Sequence, residues 1–353
     1  MRSQAGSRSR VPAVSGTPWG LSSYVTYGWG SSVTAHDGTR RENVAVDQNR
    51  SEQAGPSEQA ALAAVFEEHR PRLNAVAYRM LGSLGESEDA VQEAWLRLSR
   101  SDVAEVRNLG GWLTTVVGRI CLDLLRSRQS RREDSLDVSL ETHVPDPVLS
   151  RLDTVDPEQE VLLADSVGLA LLVVLDTLAP AERLAFVLHD MFAVPFEDIA
   201  PVVERSAAAT RQLASRARRR VQGSAPAPET DVAKQREVVD AWMAATRAGD
   251  FEALLELLDP DVVLRADSGD LVSGLSKLVR GAASVAGQAA MFASLADVQT
   301  VVLVNGLPGL IAAPGGKVFS VGAFTVVDGR ITEINIIADP ERLRRLDAEA
   351  LLA

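Results

Sequence analysis

The chain has 353 residues, 46% hydrophobic and 24% charged, enough for two or three folded domains of ordinary soluble composition. No run approaches the ~18 uninterrupted apolar residues of a membrane span, and a single cysteine, Cys121, excludes an intrachain disulfide and fits a reducing cytoplasm. The net charge of −12 does not exclude nucleic acid, because phosphate affinity follows where positive charge sits, and the arginines collect in two places.

Residues 1–56 are rich in Ser, Gly, Arg and Gln, without helical or strand period, and read as a disordered extension or as translation from an upstream start. Arg2, Arg8 and Arg10 have no apolar stretch behind them, so no secretory leader is expected. Trp19, Tyr24, Tyr27 and Trp29 could form a short binding motif. Three helices are expected over 57–130. The first carries Leu62, Val65, Phe66, Leu73, Val76, Ala77, Met80 and Leu81, with Pro71 kinking it or starting a new helix. The second buries Val91, Ala94, Trp95 and Leu98, and the third, about Leu109 to Arg128, buries Leu113, Val116, Val117, Ile120 and Leu124. Cys121 reads as a small core residue. A linker rich in Ser, Asp and Pro spans 131–157, and helices resume near Glu158 over a domain 158–223.

Pro180-Ala181-Glu182 opens a helix burying Leu184, Val187, Leu188 and Met191. Ala193-Val194 turns, a short helix starts at Pro195, Val203-Glu204-Arg205 turns again, and Ser206 caps a longer helix. This order is a helix-turn-helix, whose second helix enters the major groove. No acid lies between 205 and 222, while Arg205, Arg211, Arg216, Arg218, Arg219 and Arg220 do. Ala207 and Ala208 allow close approach. Thr210, Arg211, Gln212 and Ser215 can address bases, and Arg216 and Arg219 phosphates. Leu213 and Ala217 are expected to face the core. Pro201, and Glu204 in place of a turn glycine, are unusual and suggest an early end to the short helix.

A second basic cluster holds Arg107, Arg119, Arg126, Arg128, Arg131 and Arg132. On the third helix Trp112, Thr115, Arg119 and Arg126 share a face, suited to an unpaired base and phosphates, although Trp112 fits a core equally well. On the second, Glu86, Glu88, Asp89, Gln92 and Glu93 form an acidic face that is a solvated surface or a docking surface.

The last domain, 232–345, opens with a helix near Asp231 carrying Val238, Val239, Trp242 and Met243, and a second with Leu254, Leu255, Leu257 and Leu258. Strands follow at 262–264, 298–304, 317–327 and 330–337, the last two joined at Asp328-Gly329. Helices on a curved antiparallel sheet make an α+β domain.

These parts, in this order, resemble the extracytoplasmic-function group of RNA polymerase sigma factors. Glu88-Asp89-Ala90-Val91-Gln92-Glu93-Ala94-Trp95-Leu96-Arg97-Leu98 resembles the family helix that docks on the polymerase. The stretch from Asn108 through Gly111-Trp112-Leu113 to Arg126 resembles the helix that melts and reads the minus-ten element. Ala209-Thr210-Arg211-Gln212-Leu213-Ala214-Ser215-Arg216-Ala217-Arg218-Arg219 is similar to the subgroup with a fused SnoaL-like domain of the NTF2-like fold. The resemblance implies two all-α sigma domains plus an α+β cone, no cofactor, no membrane, and two partners: core polymerase, through its β′ clamp and β flap, and promoter DNA. It also implies roles. Glu88, Asp89, Gln92, Glu93 and Arg97 would dock on polymerase. Asn108, Trp112, Thr115, Arg119 and Arg126 would read the minus-ten element. Arg205, Ser206, Ala208, Thr210, Arg211, Gln212, Ser215, Arg216 and Arg219 would read the minus-thirty-five element. Regulatory contacts would involve Pro145, Asp146 and Pro147 of the linker with Gly315, Gly316, Lys317, Asp339 and Pro340. Here the subgroup's linker motif stands as His143-Val144-Pro145-Asp146-Pro147, and its glycine-rich loop, at Ala313 to Val318, lacks its aspartate.

Relatives of the SnoaL-like fold include enzymes. All four histidines (His36, His69, His143, His189) precede this domain, leaving Asp267, Asp270, Lys277 or Lys317 for acid–base work, so an enzyme is not expected. Trp242, Met291, Phe292, Phe319 and Phe324 could line a cone for a small apolar ligand, or form a packed core. The alternative function is a ligand-responsive helix-turn-helix repressor or activator, which leaves the first basic domain unexplained.

Overall fold

The computed structural model describes residues 56–101, 106–133, 142–152, 168–224, 231–269, 276–291 and 293–352, all within one compact unit, 43–353. The N-terminal aromatic cluster, the resumption of helix near Glu158, Asp270 and Phe292 lie outside the described residues, as do the side chains of Arg131 and Arg132.

Helices α1 (Pro56–Leu81), α2 (Leu84–Leu98) and α3 (Leu109–Glu133) pack through Phe66, Leu73, Met80, Val91, Leu98 and Leu113. Pro71 is not a helix boundary; α1 continues through it. The buried side chains on either side outweigh the ~3 kcal/mol that an interior proline costs. Trp95 is half-buried against Phe66, with ring centroids 5.1 Å apart. Leu124 is exposed, contrary to expectation, because Cys121 and Leu122 occupy the inward positions on that turn. Burial pushes the Cys121 thiol up to about 12, as suits a packed, unreactive side chain.

Helix α4 (Leu169–Asp176), apolar up to its last residue, precedes α5 (Pro180–Phe186), which widens into a π turn over Val187–Met191. Ala193, at φ +56°, turns the chain into α6 (Phe196–Val203). The early end expected at Pro201 does not occur. Pro201 lies in the last turn, where it removes one bond, and Ile199, Val202 and Val203 are buried around it. Glu204 then adopts the left-handed conformation at φ +57°, and the Arg205 N–H donates to the Ala200 carbonyl at 3.0 Å. Ser206 Oγ accepts from the Ala209 N–H at 3.2 Å, capping α7 (Ala207–Ser224).

The helical portions lie against each other. Gly118 of α3 gives room for Leu184 and Leu188, whose methyls would stand 3.1 Å from an added Cβ. Arg183 Nε donates to the Arg79 carbonyl at 3.1 Å, and its guanidinium pairs with Asp176.

Asp231 caps α8 (Val232–Ala248) and Asp250 caps α9 (Phe251–Leu257). With α10 (Ala282–Met291) they cover one sheet, made of β1 (Leu149–Ser150), β2 (Leu258–Asp267), β3 (Lys277–Arg280), β4 (Gln299–Val304), β5 (Leu307–Ala312), β6 (Ser320–Val327) and β7 (Arg330–Ile337) in the order β1-β4-β5-β6-β7-β2-β3. The sheet is mixed, not wholly antiparallel: β2 runs parallel to β7. The chain between them, carrying β3, α10 and the β4–β6 meander, is long enough to serve as the crossover that a parallel pair requires. Asp328-Gly329 forms the expected hairpin with both φ positive. Asn305-Gly306 does the same between β4 and β5. Strand β1 comes from the linker, pairing Leu149 with Val304 and Ser150 with Leu303.

Candidate nucleic-acid interface and interdomain clamp

Helix α7 buries Thr210, Ala214, Ala217 and Val221, a stripe at four- and three-residue spacing, while Leu213 is only half-buried. The stripe is therefore turned by about one residue from the expected Leu213–Ala217 face. Thr210 is thereby corrected: it is 0% exposed and its hydroxyl donates to the Ser206 carbonyl at 3.0 Å, so it has none to offer a base. Arg205, Ser206, Ala208, Arg211, Gln212, Ser215, Arg216 and Arg219 are exposed, with Ala208, Gln212, Ser215 and Arg219 on a common face.

The acid-free run acquires acidic neighbours in space. Arg216 pairs with Glu182 at 2.7 Å, Arg220 with Glu182 at 3.4 Å, and Arg218 with Asp190. Arg211 lies 5.1 Å over the Phe196 ring and 3.7 Å from Glu197. Arg205 and Arg219 have no carboxylate partner among the described residues. Pairs along the flank fasten α7 to α5 and α6 and leave its outer face to a ligand.

On α3, Asn108 is the N-cap, its Oδ1 accepting from the Gly111 N–H at 2.9 Å. Trp112 and Thr115 are half-buried, Arg119 and Arg126 exposed, all on one side. The Thr115 hydroxyl donates to the Trp112 carbonyl at 2.7 Å. Arg107 is exposed, whereas Arg128 pairs with Glu86 and donates to the Leu81 carbonyl at 3.3 Å, anchoring α3 to α2. On α2, Glu88, Asp89, Gln92 and Arg97 are exposed and Glu93 half-buried, bonded to Arg97 at 3.0 Å.

The linker is held from both sides. The Asp146 N–H donates to the Gly82 carbonyl at 2.8 Å, and the Tyr78 hydroxyl to the Asp146 carbonyl at 2.6 Å. Pro145 lies over Gly82, which takes φ +68° and leaves little room for a side chain. From the α+β side, Arg342 of α11 (Pro340–Arg345) reaches Asp146 at 2.6 Å, Asp267 at 2.7 Å and the Val144 carbonyl. Asp267 also accepts from the Val144 N–H at 3.0 Å and lies 3.2 Å from His143 Nδ1. Asn305 accepts from the Val148 N–H at 2.9 Å and donates to Tyr78 at 3.1 Å. Burial alone would raise the Asp267 carboxyl; the bonds from His143 and Val144 and the Arg342 charge overcome it and hold it well below the usual carboxylate range.

Of the linker residues expected to make regulatory contacts, Asp146 meets Arg342 and Pro145 lies over Gly82, while Pro147 is buried; Asp339 caps the helix that carries Arg342. Pro340 begins that helix. Sequence reasoning did not single out Arg342, Asn305 or Tyr78. Asn305-Gly306 is a hairpin signal that would have revealed both β5 and this residue. Gly315, Gly316 and Lys317 are exposed in a loop after β5, and nothing lies within 4 Å of a Cβ built on either glycine; the structure does not bring them to the linker. The five apolar side chains suggested for a cone do not all share one interior. Trp242 and Phe324 pack edge-on at 5.9 Å in a core with Val239, Leu254 and Ile334, while Met291 is 64% and Phe319 48% exposed.

The sigma-70 region 2 family matches residues 65–131, and the sigma-70 region 4 family residues 168–221. SigI of Mycobacterium tuberculosis, described as a probable ECF RNA polymerase sigma factor, is 37% identical over 83% of this chain and 98% of its own length. The ECF RNA polymerase sigma factor SigJ of the same organism is 40% identical over 78% of this chain and 91% of its own. The crystal structure of that SigJ superposes with a TM-score of 0.64, covering 79% of this chain and 97% of the other. A stand-alone helix-turn-helix regulator would not carry the region 2 segment. With both regions in the expected order, and similarity running on through the α+β portion, the chain belongs to the extracytoplasmic-function RNA polymerase sigma factors.

Proposed function

We propose that α7 reads the minus-thirty-five element, with Arg211, Gln212 and Ser215 addressing bases and Arg205, Arg216 and Arg219 phosphates. The observation that carries this reading is the outer face of α7, where Ala208, Gln212, Ser215 and Arg219 stand exposed together while Arg218 and Arg220 anchor the helix from behind and Arg211 and Arg216 stand exposed at its flank, beside Glu197 and Glu182. In the same reading Trp112, Arg119 and Arg126 act on the opened minus-ten strand, with Asn108 and Thr115 shaping the start of their helix. The exposed Glu88, Asp89, Gln92 and Arg97, with Glu93, dock on the β′ clamp of core polymerase, and the helix-turn-helix portion meets the β flap. The α+β domain regulates rather than catalyses: Asp267, the best-placed carboxylate for acid–base work, is tied into an ion-pair cluster with Arg342. The protein acts in the cytoplasm, where polymerase is.

The clamp gives regulation a physical form. The minus-ten and minus-thirty-five elements lie roughly 25 base pairs apart, about 85 Å along B-DNA, whereas α3 and α5 are in contact here. Reading both at once requires the helical portions to part, and the linker between them is the piece that the α+β domain holds.

Replacing Arg211 and Gln212 with alanine tests the base-reading assignment. It is expected to weaken minus-thirty-five recognition by roughly 1–3 kcal/mol for each bidentate base pairing removed, measured by competition between duplexes. Unchanged selectivity overturns the docking.

A further inference from the structure

The described residues line an open cavity of about 730 Å³ outside the α+β core, where three parts of the chain meet. Leu125 and Arg128 come from α3, Val173 and Asp176 from α4, Arg183 from α5, Arg220 from α7, and Arg265, Leu278 and Arg280 from β2 and β3, with His143 of the linker and the α4–α5 turn at Leu178 and Ala179 alongside. Among the described residues five arginines line this space, and Asp176 is the one carboxylate that does. Glu86, Glu182 and Glu333, none of which lines the cavity, pair with Arg128, Arg220 and Arg265 and fix their guanidiniums in place. Arg280 is exposed on an edge strand with no carboxylate partner among the described residues. Arg183 is 2% exposed, yet its Nη2 finds no acceptor. A buried donor without a partner is costly, and with Arg183 paired to Asp176 and three other arginines to glutamates, Arg280 leaves the cleft one uncompensated positive charge. Both costs fall when an anion enters.

We propose that this junction cavity binds a small organic anion, a carboxylate, sulfonate or phosphate ester carried on an apolar body. The anionic group meets the guanidiniums, which suit planar oxyanions. The body lies against Leu125, Val173, Leu178 and Leu278. The volume is that of a small-molecule site and does not admit a duplex. An occupant touches both helical portions and the sheet together, so it stabilises their packed arrangement over the parted one by its preference for the former. This site is separate from the apolar core around Trp242 and Phe324.

The test uses the full-length chain and two dyes with similar aromatic bodies: 8-anilino-1-naphthalenesulfonate and the uncharged N-phenyl-1-naphthylamine. Fluorescence titration is expected to show one site for the sulfonate and much weaker binding of the uncharged dye. Arg280→Glu, which removes a surface cation, and Ala179→Trp, which fills the cavity, are each expected to weaken the sulfonate about tenfold or more. Phe319→Ser, on an exposed apolar residue elsewhere, is expected to leave it unchanged. The sulfonate is also expected to raise the melting temperature of the parent chain but not of Ala179→Trp. Equal binding of the two dyes, or loss on Phe319→Ser, overturns the proposal. So does unchanged sulfonate affinity in variants that circular dichroism shows to be folded, including the case where they lose only affinity for non-specific duplex DNA.

Discussion

Arg342 reaches three acceptors across the linker: Asp146, Asp267 and the Val144 carbonyl. Removing one partner of such a pair leaves the other buried and uncompensated, so Arg342→Ala is expected to cost about 3 kcal/mol in urea unfolding. A loss below about 1 kcal/mol would show that the cluster is not a structural tie. Asp267 makes the tie pH-dependent. Its folded pKa lies below the unfolded value, so its contribution is complete above about pH 4 and is lost as pH falls through the folded value. The parent chain is therefore expected to lose more stability than Asp267→Asn between about pH 5 and pH 2; parallel pH profiles would contradict that. At this scale the sequence was partly legible. Asp146 could be read from a linker motif, but Arg342 is 196 residues away and no local pattern joins them. Thr210 was misread because one residue's rotation on a helix, about 100°, moves a side chain from the groove to the core.

The elements follow local chemistry more closely. Ser206 and Asp231 cap the helices they precede, and Asp328-Gly329 turns the hairpin it announces. Ser206→Ala is expected to cost about 1 kcal/mol by removing the bond to the Ala209 N–H, read from the urea midpoint. Glu204 occupies a left-handed position that glycine accepts without a Cβ penalty, so Glu204→Gly is expected to stabilise by about 0.5–1 kcal/mol; destabilisation would mean that the Glu204 side chain contributes something the backbone geometry does not show. The parallel β2–β7 pair and the linker strand β1 escaped the sequence reading for one reason. Each is a pairing between segments far apart in sequence, and alternation along one strand does not name its neighbour. Asn305→Gly separates turn from tie: it keeps positive φ and the backbone bond to the Val148 carbonyl while deleting the side-chain bonds to the Val148 N–H and to Tyr78. It is expected to speed hydrogen exchange of the linker amides at Val144 and Val148 without doing so for β5 and β6. Equal loosening of those strands would show that the side chain serves only the hairpin.

Across the whole molecule, the order of parts was legible because each carries its own periodicity, and the acidic total concealed neither basic helix. Their packing was not, since Gly118 meets Leu184 and Leu188 across surfaces that look, in sequence, like two separate cores. Two claims join at this scale: separate basic faces address promoter DNA, and the linker clamp holds them too close to do so together. Run-off transcription with core polymerase, comparing the full-length chain with its Arg342→Ala and Arg211→Ala/Gln212→Ala variants, tests both most directly. The expected result is initiation at one defined site with the parent chain, a changed yield from that same site with the clamp variant, and loss of the site with the α7 variant. Absence of any defined start with the parent chain, or an α7 variant that starts there as often, would contradict the first claim, and an unchanged yield from the Arg342→Ala variant would contradict the second.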